Sequence, residues 1–280
     1  MASIGDQLTA VYVFVDDYLK AHPRATQWRH ANNAHPTFSD AEVITIALLQ
    51  GCLGGATLKG AHRFAADNLR DAFPHLPGYK QWLARLHVLS GGVGQLLPAA
   101  GARAPLGDRF YLIDSKPIPV CKPIRHGRVR LLRDESAYFG KSSTGWFFGF
   151  KLHVLIHESG VILAAVLTPG NWAEVEVAPA LAQSIAGGIG LADLAYQGAE
   201  WFEKLVEETD LWLVTPAAAP KGTPRRALIS SVRERIETAF SQLWARFVDR
   251  VFSRSWEGLW STLKLKMLHY NLTLAGLIPA

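Results

Sequence analysis

The sequence predicts a mixed α/β fold that follows a helical N-terminal region. Apolar side chains recur at helical spacing between Gln7 and Lys20, and a capping box at Ser39–Glu42 opens a further helix. After a Gly/Pro/Ala-rich stretch from Ser90 to Gly107, the pattern changes to that of alternating strands. We therefore expect two domains, a helical region at 1–100 and a sheet-containing domain at 108–280.

In the second domain, the predicted elements follow the order strand, hairpin, helix, strand, helix, strand, helix. The first strand begins at Phe110 and ends at Lys116-Pro117, and Glu158-Ser159-Gly160 joins the next two strands as a hairpin. This order is expected of a ribonuclease-H-like mixed sheet flanked by helices. The other predicted elements are strands at 146–157, 161–168, 189–193 and 211–215 and helices at 173–186, 198–208 and 225–247.

Two predicted helices of the first domain lie on either side of a glycine-rich turn. The first follows Ser39, the turn contains Gly51, Gly54 and Gly55, and the second helix runs between Thr57 and Leu69. The pair is a candidate helix-turn-helix for recognising DNA, although the segment carries few basic residues. Ordinary packing of two helices is the simpler alternative.

The charge of the chain is unevenly distributed along its length. The net charge is +5, but residues 101–147 carry nine Lys/Arg against four Asp/Glu, and residues 221–280 carry ten against four. Between these basic blocks, residues 148–220 carry two Lys/Arg against nine Asp/Glu. A polyanion that follows the basic blocks would bind with strong salt dependence. The alternative is that these side chains only keep the surface soluble.

Cysteine usage and hydropathy exclude several classes of protein. Cys52 and Cys121 are too far apart for a CxxC motif, so we expect neither a zinc knuckle nor a disulfide framework. We therefore expect the protein to work in a reducing compartment. The N-terminus lacks the basic stretch and apolar run of a signal peptide. The longest apolar stretches, such as Val43 to Leu49, are shorter than the roughly 20 residues of a membrane helix. We expect a soluble protein with no membrane partner.

Three carboxylates carry the predicted chemistry. Asp114 and Asp193 each end a short apolar strand, and Glu237 lies on the predicted helix 225–247. Strand-end carboxylates emerge where an open α/β sheet places its ligands, and three converging oxygen donors suit Mg²⁺ or Mn²⁺. Two such ions about 3.5–4 Å apart drive in-line displacement at a phosphodiester. The set therefore implies phosphoryl transfer on nucleic acid.

Each carboxylate also has a simpler explanation when it is taken singly. An aspartate at a strand end most often caps a turn or faces water. Arg233 lies four residues before Glu237, and a surface ion pair at that spacing needs no functional explanation. Beside metal-bound carboxylates, Arg233 would instead orient Glu237 or contact a phosphate oxygen.

Several polar side chains are candidates for contact with DNA. Alternation places Lys151, His153 and His157 on one strand face; either Lys151 and His153 approach the scissile phosphate, or this is a polar face in water. Asn171-Trp172 either contacts a flipped base or packs as an ordinary turn, and the last helix contacts either DNA or a second protomer. The loop that leaves the first acid-bearing strand is a candidate for phosphate contact, with a solvated flexible loop as its alternative. The residues concerned are Lys122, Arg125, Arg128, Arg130 and Arg133 in the loop, and Trp256, Trp260, Lys264 and Lys266 in the last helix.

Nearly the whole chain resembles an insertion-sequence transposase of the DDE class. The more specific segments are LIDSKPIPVCK around Asp114, GWFFGFKLHVLI from Gly145, TPGNW from Thr168, and RERIETAFSQL around Glu237, with FSDAEVITIA in the helical region. The resemblance implies a ribonuclease-H-like catalytic fold in which Asp114, Asp193 and Glu237 form the metal-binding catalytic triad. It also implies cleavage at the terminal inverted repeats of the element and joining of the freed 3′-hydroxyls to target DNA. The resemblance further implies that the protein binds double-stranded DNA and a second copy of itself. It implies a location in the bacterial cytoplasm, in association with the nucleoid.

Two segments depart from the pattern of many relatives. Leu194 and Ala195 follow the second aspartate where relatives have Lys-Gly, and Ser230 and Trp244 replace a tyrosine and a lysine of the last acidic helix. We therefore predict no tyrosine or lysine contact with DNA from that helix. Two other functions are compatible with the carboxylates, namely a ribonuclease-H-like nuclease that never joins strands and a non-catalytic DNA-binding derivative.

Overall fold

A computed structural model provides the fold of most of the chain. It describes residues 3–23, 36–53, 57–103, 110–129, 132, 137–142, 145–193, 195–196, 198–215, 222–223, 234, 237–238, 240–242 and 253–278. The chain divides into a helical unit, made of Met1–Ala104, Leu243–Asp249 and Glu257–Ala280, and a sheet unit, made of Pro105–Gln242 and Arg250–Trp256. The sequence places the whole of 108–280 in one domain, whereas the structure groups the last helix with the N-terminal helices.

Hydrogen-bonded caps and buried apolar faces define the helices of the helical unit. The predicted capping box is confirmed, because Ser39 Oγ accepts from Glu42 N at 3.1 Å and Glu42 Oε2 accepts from Ser39 N at 2.6 Å. An ion pair between Arg85 Nη2 and the buried Asp40 Oδ1, at 2.6 Å, ties two helices together. The helices are α1 (Ile4–Ala21), α2 (Asp40–Cys52), α3 (Leu58–Asn68), α4 (Tyr79–Val88), α5 (Ser90–Gly101) and, at the end of the chain, α8 (Trp256–Leu274).

The Gly/Pro/Ala-rich stretch from Ser90 to Gly107, the boundary candidate of the sequence, begins with a helix, because α5 occupies residues 90–101, and the two units divide within the stretch, after Ala104. In α5, Val93, Leu96, Leu97 and Ala100 lie at helical spacing and are buried. Two side chains of α8 bind carbonyl oxygens of α5. These are Lys264 Nζ to Ser90 O at 3.0 Å and Asn271 Nδ2 to Leu97 O at 3.1 Å.

The sheet unit contains a six-stranded mixed sheet. The central strand β1 pairs antiparallel with β3 on one side and parallel with β5 on the other, and β6 extends the parallel part. Strands β2 and β4 both pair antiparallel with β3. This arrangement confirms the predicted ribonuclease-H-like fold. The strands are β1 (Phe110–Cys121), β2 (Tyr138–Ser142), β3 (Gly145–His157), β4 (Ile162–Pro169), β5 (Gly188–Ala192) and β6 (Leu211–Val214).

One face of this sheet packs against two helices, α6 (Glu174–Ala182) and α7 (Ala199–Thr209). Tyr111 and Ile113 of β1 belong to the resulting core, together with Leu181 of α6 and Leu205 of α7. Because side chains alternate along a strand, the odd-numbered residues of β1 face these helices and the even-numbered residues face the opposite side. We call these the helix-covered face and the acid face of the sheet.

Some predicted boundaries differ from the structure. Strand β1 continues to Cys121 instead of ending at Pro117, and β2 was not predicted. Most of the predicted helix 225–247 lies outside the described residues, although residues 234, 237, 238 and 240–242 are helical. Among the described residues, no helix combines the length and apolar character needed to cross a membrane.

Candidate active site

The register between β1 and β5 brings two of the three predicted carboxylates together. Ile113 and Ala192 are Cα partners in the parallel pair, and each is followed directly by an aspartate. Asp114 and Asp193 therefore occupy the same level on neighbouring strands, which lie about 4.8 Å apart. By strand alternation, Asp114 lies on the acid face, and the register gives Asp193 the same side. Both side chains are partly exposed.

Backbone N–H groups hold each of these aspartates. Ser115 N donates to Asp114 Oδ1 at 2.7 Å, and Ala195 N donates to Asp193 Oδ1 at 2.8 Å. A turn follows Asp193, in which Tyr196 N donates to the Asp193 carbonyl at 3.3 Å. These bonds use one oxygen of each carboxylate and fix its direction at the end of the strand.

The structure does not group Glu237 with Asp114 and Asp193, although another residue of its helix contacts the acid face. Phe240 lies one turn beyond Glu237 and is buried, and Lys116 Nζ lies 5.6 Å from the centre of its ring. Lys116 follows Asp114 by two residues and so shares its face. The helix that carries Glu237 thus contacts the acid face, but Glu237 itself is exposed. In the described part of the chain, no three His, Cys, Asp or Glu side chains lie close enough together to hold a metal ion.

The donor chemistry at the acid face suits a hard divalent cation. Asp114 and Asp193 supply oxygen ligands, which Mg²⁺ and Mn²⁺ prefer. A magnesium ion is usually bound by one or two carboxylates together with water or substrate phosphates, so the pair is a sufficient protein contribution. The residues present therefore fit such an ion.

A second polar cluster lies on the helix-covered face, directly behind the acid pair. Glu174, at the start of α6, accepts at Oε1 from Ser115 Oγ at 2.9 Å and from Lys151 Nζ at 3.1 Å. Lys151 Nζ also donates to the Trp172 carbonyl at 3.0 Å. Lys151 is only 8% exposed, so the contacts that it makes in the structure are internal. Its predicted contact with phosphate stays a prediction.

His153 lies in the same cluster and is completely buried. Its Nε2 and Thr168 Oγ1 form a hydrogen bond of 2.9 Å, while Nδ1 has no partner among the described residues. Burial, together with the positive charge of Lys151, lowers the pKa of His153 to about 3. The suggestion that Lys151, His153 and His157 form a polar face in water is wrong, because all three are buried.

Tyr196 is the third unusual member of this face. Its side chain is fully buried, and its hydroxyl has no partner among the described residues. Burial raises the pKa of Tyr196 well above its ordinary value, and the negative charges of Asp114, Glu174 and Asp193 raise it further. The hydroxyl therefore lies within the electrostatic reach of the acid pair.

The basic loop after β1 forms a defined structure at its start. Residues Pro123–Arg128 form a short 3₁₀ helix, and Arg125 and Arg128 in it are exposed, as is Lys122, which directly precedes it. His126 fixes this segment, because its ring lies 4.7 Å from Phe139 and 5.8 Å from Phe148. The predicted phosphate contact of this segment stays a prediction. Arg130, Arg133 and Arg233 lie outside the described residues.

The remaining candidates have mixed surroundings. Asn171 and Trp172 are both exposed, with 46% of Trp172 accessible. Trp256 packs edge-on against Phe150, with ring centres 5.2 Å apart. Lys264 lies 4.9 Å from the Trp260 ring and bonds α5, and burial lowers the pKa of Lys266 to about 8. Their predicted contacts with DNA or a second protomer stay predictions.

The fold and the acid pair define a ribonuclease-H-like domain with carboxylates on neighbouring strands, at the point where the pairing of β1 with β5 ends. A family model described as a transposase DDE domain matches residues 106–245, which is half of the chain. The chain therefore belongs to the transposases that carry a DDE domain. A comparison with curated protein sequences gives no match.

Sequence reasoning missed three residues next to the acid pair. Ser115, Glu174 and Tyr196 connect or approach the acids from the helix-covered face, and none was predicted to do so. A signal was present for Ser115, which adjoins Asp114, and for Tyr196, which lies three residues after Asp193. Glu174 had none, because only the tertiary packing of α6 brings it to β1.

We expect His153 to make the protein less stable in acid. Its pKa in the folded protein, about 3, is below the ordinary 6.5, so the unfolded chain binds the proton first as the pH falls. The contribution of neutral His153 to the free energy of unfolding is complete above pH 6.5 and is lost progressively between pH 6.5 and 3. Urea unfolding at a series of pH values should therefore show a smaller loss of stability in His153→Gln, which cannot titrate.

The exposed His75 gives the control. His75→Gln should lose stability with falling pH as the wild-type protein does. Equal pH slopes for His153→Gln and the wild type would contradict the prediction.

Proposed function

We propose that this chain cleaves DNA at the ends of an insertion sequence and transfers the freed 3′-hydroxyls to target DNA. The observation that carries the proposal is the alignment of Asp114 and Asp193 on one face of the sheet. Membership of the DDE transposases supports a DNA substrate for this acid pair. Glu237 is the third acid in the proposal, because its helix contacts the same face through Phe240 and Lys116.

In this proposal, Asp114, Asp193 and Glu237 hold two Mg²⁺ or Mn²⁺ ions. When bound, such ions activate the attacking water or 3′-hydroxyl and stabilise the leaving oxygen. The chain itself supplies the fixed directions of the two aspartates, through the N–H groups of Ser115 and Ala195. Glu237 is exposed in the structure, and the proposal requires its carboxylate to reach the two aspartates when the ions bind.

The basic 3₁₀ segment has a different proposed role, because it lies far from Asp114 along β1. Lys122 lies eight residues beyond Asp114, a separation of about 26 Å in an extended strand. That length corresponds to seven or eight base pairs of duplex at about 3.4 Å each. We therefore assign Lys122, Arg125 and Arg128 to the phosphates of flanking duplex and not to the scissile phosphate. Arg130, Arg133, Lys151 and Arg233 remain proposed DNA contacts.

Joining two ends of one element requires at least two active sites. We therefore propose that the chain acts as a homo-oligomer assembled on DNA, at the nucleoid of a bacterial cell. The helical unit is the proposed reader of the terminal repeats, with α2 and α3 as its candidate helix pair.

Glu237→Gln should reduce DNA cleavage by more than about a hundredfold, because it removes one of the charges that hold the catalytic ions. Cleavage and joining are followed on a labelled duplex taken from the DNA that flanks the coding region, with Mg²⁺ or Mn²⁺. DNA affinity should change little, since a single acid contributes no phosphate contact.

Glu234→Gln is the matched control, because Glu234 is an exposed glutamate one turn earlier on the same helix. It should cleave like the wild-type protein. Wild-type cleavage by Glu237→Gln would remove Glu237 from the site. Cleavage without any joined product in the wild type would favour a nuclease over a transposase.

Replacing Lys122, Arg125 and Arg128 with Gln should weaken DNA binding mainly at low salt. Each lost phosphate contact reduces the slope of log affinity against log salt by about 0.9, so the triple variant should lose up to about 3. Fluorescence anisotropy at several salt concentrations measures this slope. The control is Lys204→Gln on α7, an exposed lysine near Glu208, and an equal slope for the triple variant and this control would contradict the assignment.

A further inference from the structure

The hydroxyl of Tyr196 is a buried polar group for which the fold of the described residues provides no partner. The side chain is fully buried and belongs to the apolar core cluster of the helix-covered face. A phenylalanine would fill this space equally well without burying an unpaired hydroxyl. Unpaired buried polar groups destabilise a folded protein, and each one calls for an explanation such as a role in catalysis or a missing ion.

The position of Tyr196 is tied to both aspartates. Its core cluster includes Ile113 and Ala192, which are register partners and directly precede Asp114 and Asp193. The turn bond from Tyr196 N to the Asp193 carbonyl holds the backbone of Tyr196 beside the strand ends. The ring therefore packs in the same cluster as the residues that directly precede the two aspartates.

Of the three carboxylates around the ring, Asp114 is the best acceptor for this hydroxyl. Glu174 Oε1 accepts two hydrogen bonds, from Ser115 Oγ and Lys151 Nζ. Among the three negative charges, that of Asp114 raises the pKa of Tyr196 most. This electrostatic effect favours Asp114 as the acceptor of the Tyr196 hydroxyl.

We propose that Tyr196 is a positioning residue whose hydroxyl donates to the Asp114 carboxylate in the cation-bound protein and fixes which oxygen faces the cation. This inference rests on the proposed function, because it assumes that Asp114 binds a divalent cation. Hydrogen bonds from outer residues to metal-binding carboxylates typically change metal affinity by 10–100-fold. In the cation-free protein the Tyr196 hydroxyl is unpaired, and in the cation-bound protein it forms a hydrogen bond with Asp114.

The test compares Tyr196→Phe with wild type in two measurements on the full chain. The first is the melting temperature without metal, and the second is the dissociation constant for Mn²⁺, measured by calorimetry. Tyr196→Phe should melt at the wild-type temperature or about 2–4 °C higher, since it loses only an unpaired group. It should bind Mn²⁺ about tenfold more weakly.

Tyr111→Phe is the matched control, because Tyr111 belongs to the same core cluster but lies three residues before Asp114. Its Mn²⁺ affinity should stay within twofold of the wild type. Wild-type Mn²⁺ affinity in Tyr196→Phe would overturn the inference and leave the proposed function intact, as would an equal loss in both variants. If the wild-type protein binds no Mn²⁺, the proposed function fails and this inference fails with it.

Discussion

The candidate site depends on one constraint, the parallel register between β1 and β5. Pairing of Ile113 with Ala192 places the next residue of each strand at the same level and on the same face. A shift of either strand by one residue would send one carboxylate to the opposite face of the sheet. The N–H groups of Ser115 and Ala195 then fix the directions of the acids. Glu237 can act as a third acid only if Asp114 and Asp193 already form a pair.

The two faces of the sheet differ in what they present. The acid face presents partly exposed carboxylates and receives the Phe240 helix, whereas the helix-covered face buries Lys151, His153 and Tyr196. The polar groups Ser115 and Glu174 on that face connect the middle of β1 to α6. This contact limits the movement of the part of β1 that carries Asp114, which a site for closely spaced ions requires.

The sequence predicts the sheet and the acid pair because both depend on local patterns, such as apolar runs that end in aspartate. It does not predict α5 as a separate helix, since the glycine-rich composition of residues 90–101 masks the helical spacing of Val93, Leu96 and Leu97. It also gives no sign that Lys151 is buried, because alternation along β3 separates two faces without showing which one α6 covers. Contacts of this kind, like that of Glu174 with Ser115, arise only from tertiary packing.

Iron-directed cleavage of the protein backbone tests the central claim most directly. Fe²⁺ that replaces Mg²⁺ in the site produces hydroxyl radicals, which cut the chain only near the bound ion. We predict cuts around residues 114, 193 and 237, suppressed by excess Mg²⁺ and absent from Asp114→Asn. Cuts around 114 and 193 without one near 237 would contradict a site of three carboxylates, and the absence of any Mg²⁺-sensitive cut would contradict a cation site at the acid face.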